Sequence, residues 1–189
     1  MPRTGMMAIR KDALVNAAIA CVGKRGSLDV TVGQIAKEAG VSSALAHHYF
    51  GSKDQLLLSA MRAILREFGA QARLELAGAG GPEGRLKAIV TASFVASNFR
   101  PEVVSAWLNF YVMAQTQPEA ARLLRVYQRR LVSNLTHALR PLCDDPHGVA
   151  RTTAALIDGL YIHALTQPAG PDTEAATACV MAYLDGITR

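Results

Sequence analysis

A chain of 189 residues, half of them apolar, 19% charged and 6% aromatic, can bury one full core or two small ones. That composition excludes a disordered tail, a collagen-like fibre and a disulfide mini-protein. The net charge of +5 is unevenly placed: nine basic and four acidic residues precede Glu67 and eleven of each follow, so the first third alone is suited to a polyanion.

Helical periodicity dominates, and no period-two segment is long enough to seed a sheet; the chain is predicted to be all-α, with about nine helices. The first spans about Ile9 to Lys24, its inner stripe formed by Ile9, Ala13, Ala17, Ala18 and Cys21, and it stops at Gly26. A basic start before an apolar stretch resembles a secretory leader, but Asp12 and Asn16 interrupt it and the apolar residues fall at helical spacing. Thr31 opens a short second helix through a Thr-x-x-Gln capping box with Gln34, and Gly40 ends it. Ser42 caps a third helix that Gly51 stops, with Ile35 and Ala36 expected to pack on Val41 and Leu45. Ser52 and Gln55 form another capping box, launching a long fourth helix to about Leu76.

After the glycine-rich break at 77–81, Pro82 opens a fifth helix to about Phe99, and Pro101 a sixth that Pro118 must end. A seventh covers Glu119 to Leu142, with Leu123, Leu124, Tyr127, Leu131 and Leu135 on one stripe. Asp144, Asp145 and Pro146 form a loop; an eighth helix runs from about Val149 to Thr166 and a ninth from Thr173 to Ile187. Residues 1–52 are predicted as one domain and 53–189 as a second, the fourth helix being the only continuous link. No run approaches the ~20 apolar residues of a membrane span. Three cysteines, Cys21, Cys143 and Cys179, at spacings that match no disulfide framework predict a reducing, cytoplasmic compartment.

The second and third helices have the dimensions of a helix-turn-helix. Small hydroxyl and imidazole groups near the start of the third helix suit close approach to base edges and phosphates in double-stranded DNA. Candidate DNA contacts are Arg10, Thr31, Ser42, Ser43, Ala44, His47, His48, Tyr49 and Lys53. A metal role for His47 and His48 is set aside, since adjacent helical residues diverge by ~100° and no ligand stands at i+4. An enzyme would have to be built on His163 or on Asp144, Asp145 and His147. No nucleophile elbow, HExxH or phosphate loop accompanies them, and neither catalytic residues nor a cofactor are predicted.

The segment Thr31 to Leu57, TVGQIAKEAGVSSALAHHYFGSKDQLL, resembles the DNA-binding signature of the TetR family of bacterial transcriptional regulators. It departs from the usual pattern in the order His48, Tyr49, Phe50 and in Ala44, where a glycine is common. Across nearly the whole chain it is similar to a branch of that family, the choline-responsive repressors of glycine-betaine synthesis genes. The matching motifs are Met1-Pro2-x-x-Gly5-Met6 with Ile9 and Arg10, the order His48-Tyr49-Phe50, Ala106-Trp107-Leu108-x-Phe110, Arg129-Arg130-Leu131-x-Ser133-Asn134-Leu135 and Ala155-Leu156-Ile157-Asp158-Gly159-Leu160. The resemblance implies a repressor released from operator DNA by choline, the alternative being a regulator of this type sensing another cationic or hydrophobic compound.

A quaternary ammonium donates no hydrogen bond and is held by aromatic faces and a carboxylate. Trp107, Phe110 and Tyr111, at i, i+3 and i+4, are predicted as an aromatic wall, with Asp158 and Tyr161 as polar closure. The same spacing also suits ordinary core aromatics with an Asp bonded to a neighbour or a partner chain. The resemblance further implies homodimerisation through the last two helices, with Leu156, Gly159, Leu160, Val180, Tyr183 and Ile187 as candidate packing surface.

Overall fold

The computed structural model describes residues 3–188; Met1 and Pro2 of the opening motif lie outside them. The described residues form nine helices and no strand: α1 (Arg3–Arg25), α2 (Val32–Glu38), α3 (Ser43–Phe50), α4 (Lys53–Ala77), α5 (Gly81–Ser93), α6 (Pro101–Thr116), α7 (Pro118–Leu139), α8 (Pro146–Ala164) and α9 (Thr173–Asp185). Among them, no helix is long and apolar enough to cross a membrane.

The short helices form where side chains satisfy their free N–H groups. The Thr31 hydroxyl accepts from Gln34 N at 3.1 Å while the Gln34 side chain accepts from Thr31 N at 2.8 Å, closing the predicted capping box. Ser42 caps α3 through Leu45 N at 3.2 Å. At α4 only half of the expected box forms: the Ser52 hydroxyl accepts from Gln55 N. Gly40 and Gly51 close the α2 and α3 turns at φ 67° and 75°, the left-handed region that side chains disfavour.

Several boundaries differ from expectation for identifiable reasons. α1 begins at Arg3, and its buried residues are Leu14, Val15, Ala17, Ala18 and Val22, while Ile9 is 68% exposed. In α3 the inward position is Ala46 rather than Leu45. α5 stops at Ser93 instead of Phe99, and the following turns let both Phe94 and Phe99 pack on Tyr161. In a continuous helix those two positions would diverge by about 140°, so the rings could not meet. α8 starts at Pro146, since Asp145 is its N-cap, accepting from Gly148 N at 2.9 Å, with the proline at the first turn. α7 and α9 end two or three residues early, at Leu139 and Asp185.

One hydrophobic core runs without interruption from Leu14 in α1 to Leu184 in α9. α4 packs on α1, α3, α5, α6 and α7, and α1 rests against both α4 and α6. The helix-turn-helix is therefore joined to the rest of the chain at two junctions, the covalent one through α4 and a packed one between α1 and α6.

Candidate functional site

At the basic end, α3 presents Ser43, Ala44, His47 and His48 to solvent, with Ser42, Thr31 and Arg10 also exposed. Ser42 and Thr31 use their hydroxyl oxygens to hold helix N-termini, so any phosphate contact would draw on the O–H hydrogen. His47 Nδ1 lies 3.5 Å from Gly51 O. Tyr49 is half-buried, with the Lys11 ammonium 5.7 Å above its ring and His48 5.6 Å to one side. Lys53 is half-buried too, its ammonium donating to Leu28 O at 3.3 Å, which ties the start of α4 to the α1–α2 loop.

In the C-terminal region, rings from four helices converge. Phe68 (α4), Trp107 and Tyr111 (α6), Tyr127 (α7) and Tyr161 (α8) form one connected cluster. Trp107 stands edge-on to Tyr111 at 5.4 Å and to Tyr127 at 5.1 Å. Phe68 touches Trp107, Tyr127 and Tyr161 at 5.5, 6.1 and 6.2 Å between centroids. Tyr161 donates its hydroxyl to Ser93 O, fixing that ring. Phe110, expected in the same wall, is fully buried but joins no ring pair among the described residues. Phe68 and Tyr127 take part although sequence spacing marked Tyr127 only as a core stripe and Phe68 not at all.

Asp158 ends in this cluster. Its Oδ1 and the Tyr111 hydroxyl are both buried and face one another, and Gln128 lies beside the same hydroxyl. Burial raises the Asp158 carboxyl to about 6, the nearby Tyr111 phenol pulling the other way. Desolvation pushes the Tyr111, Tyr127 and Tyr161 phenols upward, and the Asp158 charge adds to each shift. The carboxyl thus lies among three phenols, and among the described residues no cationic side chain offsets its burial. A groove of about 1790 Å³, bounded by α1, α4, α5 and α7, reaches this cluster at Phe68, Tyr127 and Tyr161.

Along α8, Leu156, Gly159 and Leu160 are half-buried, and a Cβ on Gly159 would meet nothing within 4 Å. Ile162 is 56% exposed on α8, and Leu165, just past the end of the helix, is 43% exposed. On α9, Tyr183 is half-buried, and Ile187 beyond it is exposed. Val180 is fully buried within its own chain and offers a partner no surface, a correction to its expected role.

Residues 14–60 match the description "Bacterial regulatory proteins, tetR family", and residues 82–189 match "BetI-type transcriptional repressor, C-terminal". The chain is 51% identical over 187 residues to the HTH-type transcriptional regulator BetI of Agrobacterium fabrum, covering 98% of this chain and 91% of that one. It is 50% identical to BetI of Brucella abortus, covering 97% and 94%. A transcriptional regulator from Saccharomonospora viridis, solved in complex with choline, superposes with a TM-score of 0.84 at 24% identity, over 95% of this chain and 97% of that one. One from Pseudomonas aeruginosa PAO1 gives 0.79 at 29% identity, over 93% and 88%.

Proposed function

This chain belongs to the TetR family of bacterial transcriptional regulators, with a BetI-type repressor C-terminal region, and from that premise we propose that it is a cytoplasmic homodimer released from operator DNA by choline. Its relatives are transcriptional regulators, not enzymes, and so is this chain. The proposed division of labour places the DNA-reading domain at 1–52 and the sensor and dimerisation domain at 53–189.

The observation that carries the ligand assignment is Asp158. A buried carboxylate without a counter-charge is costly. A quaternary ammonium supplies that charge, asks for no hydrogen-bond acceptor, and is attracted by the faces of Trp107, Tyr127 and Tyr161. Tyr111 and Tyr161 complete the enclosure, and Phe110 stays buried in the adjoining core. The Saccharomonospora regulator holds choline on the same fold.

On the DNA side, Ser43, Ala44, His47 and His48 face the major groove, while Arg10, Thr31, Ser42, Tyr49 and Lys53 address the backbone. Dimerisation through Leu156, Gly159, Leu160, Tyr183 and Ile187 sets the two recognition helices about 34 to 36 Å apart, or a multiple of that. Ligand binding shifts α4 and changes this separation, which requires tighter binding to the DNA-incompetent state.

Fluorescence of Trp107, the single tryptophan, and operator binding by gel shift test the assignment together. Choline is expected to change the emission and to release the DNA over the same concentration range. Operator affinity indifferent to choline would refute it, and a response to aliphatic acids instead would assign a hydrophobic effector.

A further inference from the structure

The reading that choline occupies the aromatic cluster leaves a question of space, because the cluster is closed by a ring of the protein's own. The Phe68 ring lies 5.5, 6.1 and 6.2 Å from the centroids of Trp107, Tyr127 and Tyr161. A cation held by aromatic faces sits within about 6 Å of each ring centroid. The Phe68 ring thus stands about as far from each of these three rings as a caged ammonium would. Resting on the choline reading, we infer that Phe68 is an internal occupant of the cation site, and that ligand enters by expelling it.

Three of the other clustered rings are held in place, whereas Phe68 is held by packing alone. Tyr161 is tethered through its hydroxyl to Ser93 O, and Tyr111 faces Asp158. Trp107 lies fully inside the core and touches three other rings. Phe68 carries no polar atom whose bond must be broken, and it borders the groove that would receive it.

Expulsion also provides the coupling that release from DNA requires. A ligand shifts an equilibrium only through different affinities for the two states. With Phe68 seated the cation site is taken, and with Phe68 out it is open. The ring belongs to α4, fifteen residues from Lys53, so its exit acts at the far end of about 22 Å of helix whose start adjoins the recognition helix. The side chain that blocks the site is therefore attached to the element that moves the reading head.

The test compares wild type with Phe68→Ala and Phe68→Leu by choline titration of Trp107 fluorescence and by operator gel shift with and without choline. If the ring-out state is about 0.1–10% populated, removing the ring tightens choline binding by about 10- to 1000-fold. Phe68→Leu, which keeps part of the volume, falls between the two, and it carries the test if the alanine variant does not fold. In Phe68→Ala, operator affinity becomes the same with and without choline, because both states now offer an open site. Unchanged or weaker choline binding in the variants, with induction retained, would make Phe68 a wall of the site and overturn the inference alone. A wild-type protein that does not respond to choline overturns the ligand assignment and the inference with it.

Discussion

Gly23 of α1 lies directly against the backbone of Glu102 in the first turn of α6. A Cβ added at Gly23 would overlap the Glu102 carbonyl oxygen and stand 2.7 Å from Glu102 C and Cα. Backbone on both sides leaves no flexible side chain to yield, so this pair fixes the distance between the helix that supports the DNA-reading end and the helix that carries Trp107.

Gly23→Ala accordingly pits helix propensity against overlap. Alanine gains about 1 kcal/mol over glycine within a helix. Overpacking costs about 1–3 kcal/mol, and here it is the larger because neither backbone can move alone. A fall in Tm is expected, at about 2–4 °C per kcal/mol for a chain of this size. Gly69→Ala in α4 is the contrast: its Cβ would meet only Arg73 Nη1, at 3.5 Å, and Tm should hold or rise. Thermal melts of the two variants moving together would contradict this account of the α1–α6 junction.

Local chemistry made the helix-turn-helix legible in the sequence, because Thr31, Gln34, Ser42, Gly40 and Gly51 each act within four residues of where they stand. The end of α5 was not legible, since Phe94 and Phe99 leave the helix only to meet Tyr161, which lies more than sixty residues away. The start of α8 was misread because Asp145-Pro146 serves a turn and an N-cap equally well. In the ring cluster, spacing points to Trp107, Tyr111, Asp158 and Tyr161, and it points equally to Phe110, which is buried without joining a ring pair among the described residues. Phe110 and Tyr111 diverge by ~100° around α6 with Trp107 between them, and only tertiary packing decides which flank the cluster takes. Phe68 and Tyr127 were hidden for the same reason: in one helix an inward aromatic looks like any core residue.

Asp158 should make both stability and ligand binding depend on pH, in opposite senses. Its folded pKa of about 6 exceeds the ordinary 3.8 through burial, so the folded protein holds the proton where the unfolded chain has lost it. Stability from this group therefore falls as pH rises from about 4 to 6, and the full penalty stands above that window. Asp158→Asn is expected to raise Tm at about pH 8 and to leave it nearly unchanged at about pH 4. In the proposed site choline pairs with the ionised carboxylate, so its affinity should drop as pH falls through about 6 in wild type, while Asp158→Asn binds more weakly with no such dependence. Fluorescence titrations across that range decide it; a flat wild-type profile would remove Asp158 from the site.

Gly159 separates the fold of one chain from its pairing. A side chain there meets open space within its own protomer. Gly159→Leu should therefore keep or raise helical content, since leucine is the better helix former. If α8 packs on its partner at this point, the same substitution weakens the dimer, and sedimentation should show monomer at concentrations where wild type is paired. Operator affinity falls in parallel, because one reading head cannot span two half-sites. An undisturbed dimer would place the interface elsewhere on α8 and α9.

Arg10 and Lys53 are both candidate phosphate contacts, but only one also holds the fold. Arg10 is exposed on α1, whereas the half-buried Lys53 donates to Leu28 O at 3.3 Å. Removing one phosphate contact lowers the slope of log affinity against log salt by about 0.9. Arg10→Ala is expected to do this with Tm unchanged. Lys53→Ala should reduce the slope by a similar amount and also lower Tm, because the loop between α1 and α2 loses its anchor to α4. Operator titrations at several salt concentrations, paired with thermal melts, separate the two roles. Affinity lost at an unchanged slope would mean that the residue acts by positioning α3 and never reaches a phosphate.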